Sequence, residues 1–111
     1  MVDRVADQVW KDARSPMTTV IVAEFEWDSE KAAANLRKHG VTFAEAMRAF
    51  FDPLAFEAPD ATHADRWILI GMTIPERLLY VVYVEKAASG RIRIVSARKA
   101  TRHEAKDYED G

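Results

Sequence analysis

Trp67 to Ala97 reads WILIGMTIPERLLYVVYVEKAASGRIRIVSA, and this stretch decides the fold. It holds three segments rich in branched and aromatic residues, Trp67 to Thr73, Leu78 to Glu85 and Arg91 to Ala97, a composition that favours extended backbone. Pro75-Glu76 and Ser89-Gly90 supply turn chemistry between them. Connections this short force an antiparallel meander, because a parallel return needs a crossover of about a dozen residues. Leu79 to Val84 is apolar on both faces, which predicts the central strand. Arg91-Ile92-Arg93-Ile94 alternates, so Ile92 and Ile94 should face the core and Arg91 and Arg93 the solvent.

Upstream, Val20 to Trp27 reads as one further strand. Asp28 can cap a helix running to about His39, and Gly40 is placed to end it in a left-handed conformation. Thr42-Phe43-Ala44-Glu45 is a capping box, followed by Phe43, Ala46, Met47 and Phe50 at the spacing of a helix lying on a core. Asp52-Pro53 ends it, and residues 53–65 read as a polar loop. Downstream, Thr101-Arg102-His103-Glu104 is a second capping box and opens a C-terminal helix. The expected fold is therefore α+β, with helices on a small antiparallel sheet in the order β-α-α-β-β-β-α. Val5, Val9 and Trp10 have helical spacing before Ser15-Pro16, so residues 1–20 read as an N-terminal appendage to a domain spanning 21–111.

Composition narrows the function. The chain has 111 residues, 49% hydrophobic and 31% charged, which is one ordinary globular domain with little room for an enclosed cofactor pocket. It has no cysteine, so a thiolate nucleophile and every cysteine-based zinc site are excluded. No apolar run approaches the roughly 18 residues of a membrane span. The N-terminus lacks the apolar core of a secretory signal, and the cytoplasm is the expected compartment. From Lys86 to Lys106 seven Lys or Arg face one acid, a local charge of +6, which leaves −8 on the rest of a chain whose net charge is −2. A like-signed block on an ordered strand and helix can act as the footprint of a polyanion, or be a solvated face.

The candidates for chemistry follow from what is present. His39, His63 and His103 have no partner at helical ligand spacing, so neither metal nor other cofactor is expected. No nucleophile elbow surrounds Ser15, Ser29, Ser89 or Ser96, and the glycines at 40, 71, 90 and 111 form no phosphate loop. What remains is the basic strand and helix: Arg91, Arg93, Arg98, Lys99, Arg102 and His103. Arginine can clamp a phosphate with two hydrogen bonds, and histidine can move a proton near neutrality. Metal-free RNA cleavage needs little more. Against that stands a plain structural role, in which Arg98 pairs with a carboxylate such as Glu45 and pins helix to sheet. Lys38 and His39 form a smaller basic spot that also complements a helix C-terminus. Trp27 and Trp67 could stack on bases, but both lie where strands meet the core.

Two stretches resemble a known family. Phe25 to Ala46 reads FEWDSEKAAANLRKHGVTFAEA, and Arg91 to Tyr108 reads RIRIVSARKATRHEAKDY. They are similar to the Trp-Asp-x-x-Lys-x-x-x-Asn-x-x-Lys-His-Gly and Ile-x-Ser-Ala-Arg-x-Ala blocks of BrnT ribonuclease toxins, with Asp52-Pro53 and Arg66 to Gly71 in register between them. The resemblance covers about residues 24–110 and leaves the N-terminal segment outside. It implies a RelE-like fold and a type II toxin that cleaves RNA without a metal and arrests growth. It also implies a ribbon-helix-helix antitoxin that meets DNA on the toxin's behalf, with a homodimer within the complex and no membrane partner. The positions matching the family's polar motif are Lys31, Asn35, Lys38, His39, Arg66, Ser96, Arg98 and Lys99. Within that pattern Arg98 and Arg66 are expected at the phosphate, His39 in proton transfer, and Lys38 and Lys99 on the RNA backbone, with Arg91, Arg93 and Arg102 extending the contact. The alternative is a degenerate toxin fold that only binds an antitoxin-like partner.

Overall fold

The computed structural model describes residues 18–74 and 77–111. The helical reading of Val5, Val9 and Trp10 and the Pro75-Glu76 turn lie outside the described residues. Among the described residues nine elements follow in order: β1 (Thr19–Val22), β2 (Phe25–Asp28), α1 (Ser29–His39), α2 (Phe43–Ala49), β3 (Phe56–Pro59), β4 (Trp67–Thr73), β5 (Arg77–Glu85), β6 (Ile92–Lys99) and α3 (Arg102–Asp110). The strands form one six-stranded sheet ordered β1-β2-β6-β5-β4-β3. The fold is α+β as expected, with two strands more than expected and one parallel pair.

The meander is present, with β5 between β4 and β6 and both neighbours antiparallel to it. Leu79, Val81 and Tyr83 of β5 are buried under the helices, and Ile94 and Ala97 of β6 join them. Phe25 and Trp27 from β2 and Val41, Phe43, Ala46 and Ala49 around α2 complete the core. Burying each large side chain of this kind stabilises by about 1.5–3 kcal/mol. At Gly71 the close approach of α2 leaves no room for a side chain, since a Cβ there would stand 2.5 Å from the Ala49 carbonyl oxygen.

The expected single strand from Val20 to Trp27 is instead a hairpin. β1 and β2 pair antiparallel, with Val22 opposite Phe25. The bend falls at Ala23, whose φ of 54° lies in the left-handed region that L side chains seldom enter. No glycine, asparagine or proline marks that turn, so the run reads as continuous. The expected loop at 53–65 also contains a strand: β3 pairs antiparallel with β4, from Phe56↔Ile70 to Pro59↔Trp67. Proline is tolerated there because β3 is an edge strand.

The parallel pair is β2 with β6, limited to Phe25↔Ile92 and Glu26↔Arg93. Beyond it β6 loses its strand neighbour and α1 takes over. The Asn35 side chain donates from Nδ2 to the Ala97 carbonyl at 2.8 Å and accepts the Ala97 N–H on Oδ1 at 3.1 Å. A second Nδ2 bond reaches the Val41 carbonyl at 3.0 Å. One buried amide thus does for β6 what a strand backbone would do, and ties the α1–α2 link to it. Asn35→Ala is expected to leave three buried backbone groups unsatisfied, at about 1–3 kcal/mol each before relaxation. The thermal midpoint should then fall by roughly 10 °C or more. A drop of only a degree or two would show that water or a shifted strand replaces the amide.

Candidate functional site

The caps expected at 28, 42 and 101 are all in place, and two of them shape the site. Asp28 accepts the Lys31 N–H at 3.1 Å and starts α1. Gly40 ends that helix at φ 70°, donating to the Leu36 carbonyl. Thr42 accepts the Glu45 N–H, but the Glu45 carboxylate does not return to it. Glu45 receives Arg77 through two bonds of 2.8 and 2.7 Å. The carboxylate considered as a partner for Arg98 is therefore taken by another arginine.

Along α1, Lys31, Asn35, Lys38 and His39 fall at i, i+4, i+7 and i+8, one face of a helix. With Asn35 locked onto Ala97, that face meets β6. Lys31, Lys38 and His39 line a shallow groove of about 230 Å³ together with Val95 and Ser96. Arg98 follows Ser96 on the same face of β6, ~7 Å along the strand. The structure so brings together Lys31, Lys38, His39 and Ser96, with Arg98 next in line. A larger hollow of about 470 Å³, lined by Phe51, Pro53, Met72 and Ile74 with Arg48, Asp52 and Thr73, is mainly apolar and holds none of the expected site residues.

Arg98 is far from a free cation. It lies over the Tyr80 ring at 4.1 Å and faces it across the β5–β6 pair. Its Nη1 and Nη2 donate to the two oxygens of Glu104 at 2.8 and 2.7 Å. Glu104 is the N3 residue of α3, and the reciprocal capping box with Thr101 is complete. Burial pushes the Glu104 carboxyl up, but hydrogen bonds from Arg98 and Thr101 outweigh it and hold it below its ordinary value. The Arg98 guanidinium is raised in turn, first by its bond to Glu104.

The other expected residues scatter. Arg66 sits just before β4, its N–H donating to the His63 carbonyl. Trp67 pairs with Tyr83 and Arg98 with Tyr80, so the two arginine backbones are roughly 13 Å apart along the strands and two strands apart across them. Lys99 pairs with Leu79 and so points to the opposite face from Arg98, beside Arg77. Arg93 is bound to Glu26 at 2.6 Å. Arg91 precedes β6, its carbonyl accepting the Lys86 N–H, and Arg102 is exposed at the start of α3. Trp27 is buried at 7% exposure, whereas Trp67 is 37% exposed. Among the described residues no group of three or more His, Asp or Glu could hold a metal ion. No helix among them is long and apolar enough to cross a membrane.

Two residues of this neighbourhood escaped the sequence reading as site residues, Tyr80 and Glu104. Tyr80 becomes a partner of Arg98 only through strand register. Glu104 was visible as a cap, and its second role needed the geometry of the strand before it.

The sheet, the helix arrangement and the cationic groove define a small α+β protein with a site suited to a polyanion. Residues 27–104 match the model of the family described as "Ribonuclease toxin, BrnT, of type II toxin-antitoxin system". The chain belongs to this family. The crystal structure of the Brucella abortus ribonuclease toxin BrnT is similar to it, with a TM-score of 0.55 and 28% identity over 68% of this chain and 94% of that one. No curated protein sequence matches the chain.

At the other end of α3, the Tyr108 hydroxyl donates to Asp52 at 2.7 Å, and the same carboxylate oxygen accepts the Met72 N–H at 2.8 Å. Burial raises the Asp52 carboxyl, but Tyr108 and the Met72 and Leu54 amides bring it below its ordinary 3.8. Tyr108 is pushed up to about 12, chiefly by that hydrogen bond. A depressed folded carboxyl stabilises above its unfolded value and loses the contribution as pH falls through the folded one. The raised tyrosine contributes below about 10 and loses its share toward 12. The thermal midpoint is therefore expected to be flat from about pH 4 to neutral and to fall on acidification. Tyr108→Phe should lower the plateau by a few degrees, for about 1 kcal/mol, and make the acid limb shallower. An acid limb identical to that of the wild type would remove Asp52–Tyr108 as its source.

Proposed function

We propose that this chain is the toxin of a type II toxin–antitoxin system, an endoribonuclease of RelE-like fold that cleaves RNA without a metal and arrests growth. The observation that carries the reading is the groove where α1 meets β6, in which Lys31, Lys38, His39 and Ser96 come together one strand step from Arg98. Cleavage of this kind needs attack by a 2′-hydroxyl on the adjacent phosphorus, stabilisation of the crowded phosphorane, and protonation of the 5′-oxygen that leaves. His39 is the group suited to the proton transfers. Arg98 is suited to the phosphate, and Lys38 and Lys31 to the backbone on either side. Arg66 and Lys99 keep a place only as outer contacts, given their distance and facing, as do Arg91 and Arg102. Arg93, paired with Glu26, is weaker still in that role.

The partner in this reading is a DNA-binding antitoxin of the ribbon-helix-helix class, with toxin copies paired within the complex and DNA reached only through the antitoxin. A second reading is favoured by one observation: the Arg98 guanidinium already holds a carboxylate. In that reading the chain is a catalytically degenerate toxin fold that serves as a binding module.

The test is induced expression in bacteria of wild type, His39→Ala and Lys38→Ala, followed by colony counts and gel analysis of total RNA. Both side chains lie at the groove surface, so neither substitution should cost more than about 0.5 kcal/mol of stability. Growth arrest with RNA decay is expected in the wild type and should be lost in His39→Ala. Normal growth with intact RNA, from folded wild-type protein, would favour the binding module.

A further inference from the structure

We propose that Glu104 is a positioning residue that presets Arg98 for a phosphate, a step that rests on the ribonuclease reading above. A guanidinium has five N–H donors in one plane. Three are committed here: Nη1 to Glu104 at 2.8 Å and to the Lys99 carbonyl at 3.2 Å, and Nη2 to Glu104 at 2.7 Å. Two remain, the Nε–H and the outer Nη2–H, and no described group accepts from either. These two lie side by side along one edge of the guanidinium, the fork that matches two oxygens of a phosphate.

The pair with Glu104 therefore leaves the binding edge of Arg98 open and fixes its direction. The Tyr80 ring at 4.1 Å sets the plane of the guanidinium. Glu104 and the Lys99 carbonyl set its rotation within that plane. Glu104 is held independently, since its Oε1 also accepts the Thr101 N–H at 2.9 Å and its own N–H donates to Thr101 Oγ1 at 3.1 Å. The first turn of α3 is thus both a helix cap and a mount for the arginine. The Arg98 side chain keeps 34% exposure, enough for a ligand to reach the open edge. Arg98 stands two residues after Ser96 on the same face of β6, and Ser96 lines the groove that holds His39.

A purely structural role for the pair would anchor α3 and nothing more. Tyr108→Phe loosens the same helix at its other end without touching Arg98, and so serves as the control. Single-turnover cleavage of an RNA oligonucleotide and binding of its 2′-O-methyl analogue are measured for wild type, Glu104→Gln, Arg98→Lys, the double variant and Tyr108→Phe. Gln at position 104 keeps the cap and cannot accept both guanidinium donors. Glu104→Gln is expected to lose cleavage on the order of tenfold to a hundredfold, the usual cost of misplacing a contact group by about 1 Å. The double variant should be no worse than Arg98→Lys, and Tyr108→Phe should cleave as the wild type does. Faster cleavage by Glu104→Gln would mean that the carboxylate competes with the phosphate, and would overturn the proposal. So would an equal loss in Tyr108→Phe, or additive losses in the double variant.

If the wild type cleaves nothing, the ribonuclease reading falls, and the positioning claim is then decided by NMR. The Arg98 Nε–H resonance of the wild type is expected to move on titration with inorganic phosphate and to stay still in Glu104→Gln. A wild-type resonance that does not move sinks the claim by itself.

Discussion

The structure turns on one side-chain amide. β2 accompanies β6 for two residue pairs and then gives way to α1, and at that point the β6 backbone would face a helix with unpaired groups. An unpaired buried N–H or C=O costs as much as several ordinary contacts return. Asn35 meets both groups of Ala97 and also the Val41 carbonyl, so helix, strand and link are tied at one place. The helical period then settles what lies on either side of it. Lys31 stands one turn before Asn35, and Lys38 and His39 about one turn after, so all of them face the strand that Asn35 binds. The cationic groove is a consequence of the same bond that closes the fold.

The sheet divides the work by parity. Odd positions of β5, from Leu79 to Tyr83, go under the helices, and the even position Tyr80 goes to the other face with Arg98 opposite. α3 rests against β4 without burying a single residue of its own. It is held at its start by the Arg98–Glu104 pair and near its end by Tyr108 on Asp52. A helix attached by polar clips depends on charge state more than on packing, so part of the pH response is expected from this element. It also explains the capping box: a helix with little apolar area needs its first turn satisfied from within.

The sequence made the meander, the three caps and the α2 face legible, because each rests on local pattern: two-residue alternation, a 3.6-residue period, or a side chain bonding its own helix. It hid whatever depended on partners distant in the chain. The Ala23 bend carries no turn residue, and β3 becomes a strand only because β4 offers an edge. For the site, the family motif singled out Lys31, Lys38 and His39 on α1 and Ser96 and Arg98 on β6. That the two groups meet is a matter of Asn35. Arg66 and Lys99 fit the same motif pattern, yet strand register sets Arg66 apart, and the alternation that joins Ser96 to Arg98 turns Lys99 to the other face. Tyr80 and Glu104 were hidden for the opposite reason, since each had a complete local explanation as a strand residue and a cap.

Local charge, finally, is not the same as available charge. The segment from Lys86 to Lys106 carries +6, but Arg93 is balanced by Glu26 from β2 and Arg98 by Glu104 within the segment. The groove cations Lys31 and Lys38 lie outside that block, on α1, and it is the packing of α1 on β6 that adds their field to its edge. A polyanion approaching this face would meet exposed, weakly held cations first and the fixed guanidinium fork last. Long, flexible lysines suit the first role, because a hydrated point charge attracts at a distance and imposes no geometry. A planar arginine held on three sides suits the second, because its ordering cost was met when the chain folded. In the positioning proposal, the ion pair that looks like a reason to discount Arg98 is what leaves two of its donors aimed and open.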